Sequence, residues 1–418
     1  MIPLQRLRDD PQAISDGARL KGEDAPVDEI LGLDTNARRL RTEVESLRAE
    51  QKRASSEIRG APTDDQRSTL AAVKQRIQAG EAELVGLDTR IEELLLHVPN
   101  PPHQSVPHGS DEQGNVVVRT WGTPATLDFD PRAHFDIGES LGLFDFERAV
   151  KISGSRFAVL RGDGARLQRA LITLFLDMAT LEHGYSEIAP PYLVRREAMV
   201  GAAQLPKFED QAYKTDDDLF LIPTAEVPVT NLYRDEILDG ALLPIAHAAF
   251  TPCWRREAGA AGRDTRGYIR MHQFDKVEMV RFTTPERSLD ELELITGHAE
   301  AILQRLRIAY RVLLMCTGDM GFAQWKKYDV EAWAPGMKRW LEVSSCSVFG
   351  DFQARRAGIR FRAAAGERPR FVHTLNGSGL AVPRTLDAVL ETYQQADGTV
   401  VIPEALRAYM GGQERIGG

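Results

Sequence analysis

Two stretches of strict four-and-three spacing constrain this chain before anything else does. Leu33, Ala37, Leu40, Val44, Leu47, Gln51, Ala54 and Ile58 form the first; Leu70, Val73, Ile77, Gly80, Leu84, Leu87, Ile91, Leu94 and Val98 form the second. Such a repeat puts one apolar seam along a helix, and that seam must be buried against another helix. Gly60-Ala61-Pro62-Thr63-Asp64 interrupts the pattern, so the spacing predicts an antiparallel hairpin over about 27–98. At about 1.5 Å per residue, roughly thirty residues per helix give an arm on the order of 45–50 Å long, too thin to enclose a pocket. It reads as a reaching device. The chain as a whole is acidic, with 52 basic against 61 acidic residues, yet between Arg38 and Arg76 ten basic residues oppose six acidic ones. A positive strip of that kind attracts a phosphate backbone, although charged outer positions also serve simply to keep a coiled coil soluble.

At 418 residues the chain has room for two or three domains with a substantial core. Cys253, Cys316 and Cys346 are too few and too far apart for a disulfide framework, which points to a reducing cytoplasm. The start, MIPLQRLRDD, lacks a signal pattern, and no run of about 18 apolar residues occurs, so neither secretion nor membrane spanning is expected. Nine histidines without Cys/His spacing predict no structural zinc.

Pro99-Asn100-Pro101-Pro102 and the polar stretch after it read as a linker, dividing the chain into an amino-terminal domain over 1–108 and a body over 109–418. In the body, 166–182 has a helical apolar face closed by Gly184, and residues 285–315 read as one amphipathic helix. Strands are expected at 185–189, 219–222, 248–254, 268–282, 330–334 and 340–345. Many strands with few regular alternations of strand and helix favour an α+β body, a largely antiparallel sheet flanked by helices. Neither GxxxxGK[ST] nor GxGxxG occurs between a strand and a helix, so neither standard nucleotide loop applies.

Three clusters carry chemistry. Cys253 to Phe282 sets two strands around a connection marked by Gly259, Gly262 and Gly267, with Arg255, Arg256, Arg263, Arg266 and Arg270 close together. Guanidinium groups suit phosphate because they donate forked hydrogen bonds and keep their charge, although a solvated basic hairpin would look similar. Glu342-Val343-Ser344-Ser345 places a carboxylate three residues before a hydroxyl, a donor pair able to hold one Mg²⁺, although such residues are most often simply exposed. Thr374 to Leu386 reads as a strand, a glycine-rich turn and a helix with Arg384 at its start. A cation there opposes the helix dipole, so a nearby anion is expected.

Together the fragments GYSEIAPPYLV, IPTAEVPVTNLYRDEIL, HQFDKVEMV, EVSSCS, DFQARR and LNGSGLAVPRTLDAVLE resemble seryl-tRNA synthetases, class II aminoacyl-tRNA synthetases of the bacterial type with a coiled-coil arm. The resemblance covers essentially the whole chain. It implies an enzyme that uses ATP and Mg²⁺ to form seryl-adenylate and transfers serine to the 3′ end of tRNA(Ser), with tRNA(Sec) as an additional candidate acceptor. Arg255 and Arg384 would be the catalytic cations, Arg255 on the α-phosphate and the serine carboxylate, Arg384 on the γ-phosphate. Arg256, Glu257, Phe274 and the run Glu342, Val343, Ser344 and Ser345 would complete the ATP site, Glu257 accepting from the adenine amino group and Phe274 stacking on the purine. Glu342 and Ser345 would ligate Mg²⁺. Thr224, Ala225, Glu226, Arg255, Glu278 and Ser378 would surround serine. Arg263 and Arg266, with Arg48, Lys52, Arg53 and Arg59 of the arm, would face tRNA, and the segment around Gly184–Pro191 would join two subunits in a homodimer.

Four residues depart from the family pattern: Trp254, Arg256, Trp325 and Val348. They leave a place for a serine-activating duplicate with a specialised role in antibiotic biosynthesis or resistance. A ligase for a carrier protein is disfavoured by the long arm and the lack of zinc spacing. A non-catalytic RNA-binding adaptor is disfavoured by the presence of Arg255, Glu257, Glu342 and Arg384.

Overall fold

The computed structural model describes residues 1–258 and 266–417 and divides into two compact units, Met1–Pro101 and Pro102–Gly418. The division falls just upstream of the 108/109 boundary read from the linker.

In the first unit, α1 (Leu4–Asp9) and α2 (Pro11–Leu20) precede the long helices α3 (Val27–Glu57) and α4 (Asp64–Leu95). Thr63 caps α4, its hydroxyl accepting from Gln66 N–H while the Gln66 side chain accepts from Thr63 N–H, which explains the restart directly after the break. The seam packs as the spacing requires, with Val44, Leu47, Val73 and Ile77 buried together. Arg90–Glu29, Arg41–Asp88 and Arg48–Glu81 bridge the helices, and their numbers rise on one helix as they fall on the other, fixing the antiparallel sense. Gly80 allows the closest approach: a methyl there would come within 2.6 Å of Val44 Cγ2.

In the second unit the chain runs through β1 (Val116–Trp121), α5 (His134–Ser140), α6 (Phe146–Ser153) and α7 (Asp163–Asp177), which ends in a π turn at Met178–Glu182. Next come β2 (Ser186–Glu187), β3 (Leu193–Arg195), α8 (Arg196–Gly201), β4 (Leu219–Leu221), α9 (Glu226–Thr230) and β5 (Ile237–Asp239). The two long strands β6 (Ile245–Trp254) and β7 (Gln273–Thr283) lead to α10 (Ser288–Arg305), β8 (Tyr310–Leu314), β9 (Lys326–Ala334), β10 (Arg339–Gly350) and α11 (Phe352–Ala357). The short β11 (Arg360–Arg362) and β12 (Arg370–Phe371) precede β13 (His373–Ala381) and α12 (Val382–Tyr393). The central sheet has the order β1-β8-β9-β10-β13-β7-β6-β2 and is antiparallel except at its edge, where β2 runs parallel to β6. Its core face, including Val277, Met279, Val330, Val343, Cys346 and Leu375, packs on buried residues of α7, α10 and α12.

Two readings of the sequence are corrected here. Residues 285–315 are not one helix: α10 stops at Arg305, Arg307 takes a left-handed backbone (φ +54), and Ile308, Tyr310 and Val312 enter the core at strand spacing. The glycine-rich run at 376–379 is not a turn but part of β13. Its glycines serve close packing, because a methyl on Gly377 would meet Cys346 Sγ and Ile295 Cγ1 at 3.0 Å, and one on Gly379 would meet Met279 Cε at 3.0 Å. None of the helices in the described residues is long and apolar enough to cross a membrane.

Candidate functional site

The sheet face opposite the core carries a cleft of about 470 Å³. Strand alternation supplies its floor, since residues two apart share a face. Phe274 and Lys276 come from β7, Asn376 and Ser378 from β13, Ser345 and Ser347 from β10, and Lys327 from β9. Thr224 and Glu226 enter from the start of α9, Arg255 and Glu257 follow β6, and Arg384 stands at the start of α12.

Glu342 and Ser345 reach this cleft together because of a defect in the strand. Three residues apart on a regular strand, they would point to opposite faces. The register between β10 and β9 slips between Glu342 and Ser344, which reverses the alternation and turns both toward the cleft. The Glu342 side chain is 44% exposed, and although the surrounding wall partly desolvates it, Arg384, Lys327 and Arg255 hold its carboxyl below the usual range. Arg384 binds this wall directly, Nη1 donating to Glu342 O at 2.8 Å and Nε to Ile269 O at 3.2 Å. Asp329, the cross-strand partner of Ser345, is buried, and its Oδ1 has no hydrogen-bond partner among the described residues. Lys327 Nζ lies 3.1 Å from its other oxygen. Glu342 and Ser345 thus put a carboxylate and a hydroxyl on the cleft wall, hard oxygen donors of the kind that fit Mg²⁺.

At the other end, two buried carboxylates share one amide. Asn376 Nδ2 donates to Glu278 Oε1 at 2.9 Å and to Glu226 Oε2 at 3.2 Å, while Gln353 Nε2 donates to Glu226 Oε1 at 2.6 Å. Thr224 Oγ1 donates to Glu278 Oε2 at 3.0 Å, and Lys276 pairs with the same carboxylate. Burial, reinforced by the charge of Glu278, pushes Glu226 up to about 7. An incoming ammonium would find two desolvated carboxylates here, Glu278 paired with Lys276 and Glu226 ready to lose its proton.

Between the two ends, the Arg255 guanidinium lies 5.1 Å above the Phe274 ring and donates to Pro223 O. Glu257 adopts a left-handed backbone (φ +51) and its carboxylate holds Arg270 Nη1 at 2.7 Å.

Several residues expected at the site stand elsewhere. Arg256 is exposed outside the cleft lining, its N–H donating to Gln211 O. Val343 and Ala225 point into apolar cores, and Ser344 is buried with its hydroxyl on Ser378 O at 2.6 Å. Glu278 lies fully buried just behind the lining rather than in it. Arg266 is exposed over the Phe135 ring, whereas Arg263 lies outside the described residues, as do Gly259 and Gly262. In the arm, Arg48 pairs with Glu81, while Lys52, Arg53 and Arg59 are exposed without an ion-pair partner among the described residues. Sequence reasoning assigned nothing to Asn376, Lys276, Lys327 or Gln353. Asn376 was within reach, since it precedes Ser378 at strand spacing in the same run. Gln353 stands within the DFQARR fragment, but nothing local gives it a role; α11 brings it onto Glu226.

Residues 1–102 match the family model described as Seryl-tRNA synthetase N-terminal domain, and residues 207–393 match the tRNA synthetase class II core domain (G, H, P, S and T). The whole chain is 56% identical to a serine–tRNA ligase of Thermomicrobium roseum, across 95% of that protein, and 52% identical to one of Nitratidesulfovibrio vulgaris, across 100% of it. The crystal structure of seryl-tRNA synthetase from Pyrococcus horikoshii complexed with ATP superposes with a TM-score of 0.94 at 40% identity, covering 100% of this chain and 99% of that one.

Proposed function

The chain belongs to the serine–tRNA ligase family, aminoacyl-tRNA ligases with a class II core, and on that premise we propose how its cleft divides the work. Serine binds at the Thr224, Glu226 and Glu278 end, and ATP lies between Phe274 and Arg384. The pair of buried carboxylates linked through Asn376 carries this reading, because such a pair suits a small substrate bearing an ammonium and a hydroxyl. A site built to hydrogen-bond that hydroxyl rejects alanine by leaving its own polar groups unpaired.

In the first step a serine carboxylate oxygen attacks the α-phosphorus, the bond to the bridging oxygen breaks, and pyrophosphate leaves. The nucleophile is already ionised, so positioning and cations suffice, and no general base is needed. Arg255 neutralises the carboxylate and the α-phosphate, Arg384 the γ-phosphate, while Glu257 accepts from the adenine amino group. Glu342 and Ser345 would hold Mg²⁺, which when bound would supply further positive charge to the phosphates. In the second step a ribose hydroxyl of the RNA attacks the seryl carbonyl and AMP leaves. The acceptor is tRNA(Ser), with tRNA(Sec) a second one, and the exposed Lys52, Arg53 and Arg59 give the arm its hold on RNA phosphate. The enzyme works in the cytoplasm as a homodimer joined around Gly184–Pro191.

The four departures from the family pattern support ordinary serine activation, because Trp254, Arg256, Trp325 and Val348 all stand outside the cleft lining. An ATP–pyrophosphate exchange panel across amino acids tests the reading. Exchange is expected with serine alone, and exchange with a different amino acid but not with serine would overturn it.

A further inference from the structure

Behind the nucleotide half of the cleft lies a buried polar cluster that the chemistry above does not use. His134, Asp387 and Glu391 are each fully excluded from solvent. His134 opens α5, and both its backbone N–H (2.9 Å) and its Nδ1 (2.8 Å) meet Glu391 Oε1. Glu391 Oε2 accepts from Met337 N–H at 2.9 Å. An ionised carboxylate can only accept, so Nδ1 carries a proton. The other ring nitrogen, Nε2, faces two groups, the Tyr268 N–H at 3.4 Å and Asp387 Oδ2 at 3.6 Å.

Asp387 is the anomaly. Neither of its oxygens has a hydrogen-bond partner among the described residues. A bare carboxylate at such a site carries the full penalty of an uncompensated buried charge. Either Asp387 holds a proton or His134 Nε2 holds it and pairs with Asp387, so one proton is shared between them. Burial pushes Asp387 up to about 7. Burial alone would push the imidazole down, but Asp387 and Glu391 more than offset it and raise it above its ordinary value. The other charges facing the cluster are Arg339 of β10 and Arg384 of α12, and Tyr268 is the neighbouring phenol.

The placement connects this cluster to ATP. Arg384, Asp387 and Glu391 fall at successive turns of α12, so His134 grips the helix that carries Arg384. On its other side, Gly267 passes so close that a methyl there would stand 2.2 Å from His134 Nε2. That same segment continues into Ile269, whose carbonyl accepts from Arg384 Nε, and Arg270, which pairs with Glu257. We infer that His134, sharing a proton with Asp387, is a positioning residue that pins α12 to the 267–270 segment and so sets the spacing between Arg384 and Glu257 across the ATP site.

The inference rests on the proposed ATP site, so its test separates the two. Direct ATP binding is measured by calorimetry from pH 6 to 9, alongside exchange kinetics, for the wild type and for His134→Gln, His134→Ala and Asp387→Asn. In the wild type, ATP affinity relative to Asp387→Asn is full below pH 7 and falls as the shared proton is lost above it. Asp387→Asn is uncharged throughout and keeps ATP affinity near the wild-type value at pH 6.5, so the ratio of the two affinities isolates the decline. His134→Ala raises the KM for ATP roughly ten-fold, as expected for a small misplacement of binding groups, with little change in the KM for serine. His134→Gln recovers part of the loss through its remaining donor. If Asp387→Asn and the wild type share one pH dependence, or if the His134 variants raise both KM values equally, the inference fails while the function stands. If the wild type binds no ATP, the proposed function fails first.

Discussion

Glu226 shows how a residue's neighbours, rather than its type, set its behaviour. Burial and Glu278 hold its pKa near 7, so the empty site is largely protonated at pH 6 and largely ionised at pH 8. A serine ammonium favours the ionised form. The KM for serine should therefore rise roughly ten-fold between pH 8 and pH 6, following the ionised fraction, while Glu226→Gln gives a high and flat KM. The effect on stability has the opposite sign. Because the folded-state value is raised from 4.5 to about 7, Glu226 contributes stability that is fully present below about pH 4.5 and lost as pH rises to about 7, and Glu226→Gln should remove that part of the decline between those pH values in thermal melts. The motif alone points to Glu226, and its negative charge is legible there. The shift is not, since it depends on burial and on Glu278 and Gln353, which lie 52 and 127 positions along the chain.

At the scale of elements, the slip in β10 decides which serine can meet a ligand. Glu342→Gln should lower serine-dependent exchange roughly 10²-fold, the usual cost of removing one electrostatic contact to a transition state. Ser344→Ala should leave exchange near the wild-type level and instead destabilise the fold by about 1–3 kcal/mol, because the Ser378 carbonyl loses its partner. Equal loss of exchange in both variants would contradict the assignment of faces. The arm obeys the same logic of close approach. Gly80→Leu should lower the stability of the first unit by about 1–3 kcal/mol through overpacking against Val44, read as an earlier transition in denaturant unfolding.

For the whole molecule, activation and RNA binding should respond to different substitutions. Replacing Lys52, Arg53 and Arg59 together by alanine should weaken tRNA(Ser) binding and flatten its salt dependence by about 0.7–0.9 for each phosphate no longer neutralised, with exchange unchanged. An unaltered salt slope would remove these residues from the RNA interface. The arm was legible to within a few residues because its helices meet near neighbours on one continuous hairpin, so a local repeat specifies the pairing. The charged groups of the cleft were legible as types for the same reason: Arg255, Glu342 and Arg384 announce their chemistry wherever they stand. The sheet face each one occupies was decided elsewhere. Val343 and Ser344 turned away from the cleft, the glycines of β13 proved to be close-packed strand, and Glu342 came level with Ser345 only through a slip against β9. Periodicity along one chain determines which residues share a helix seam, but strand faces, shared amides and buried protons depend on partners distant in sequence. Those partners exist only once the sheet has formed.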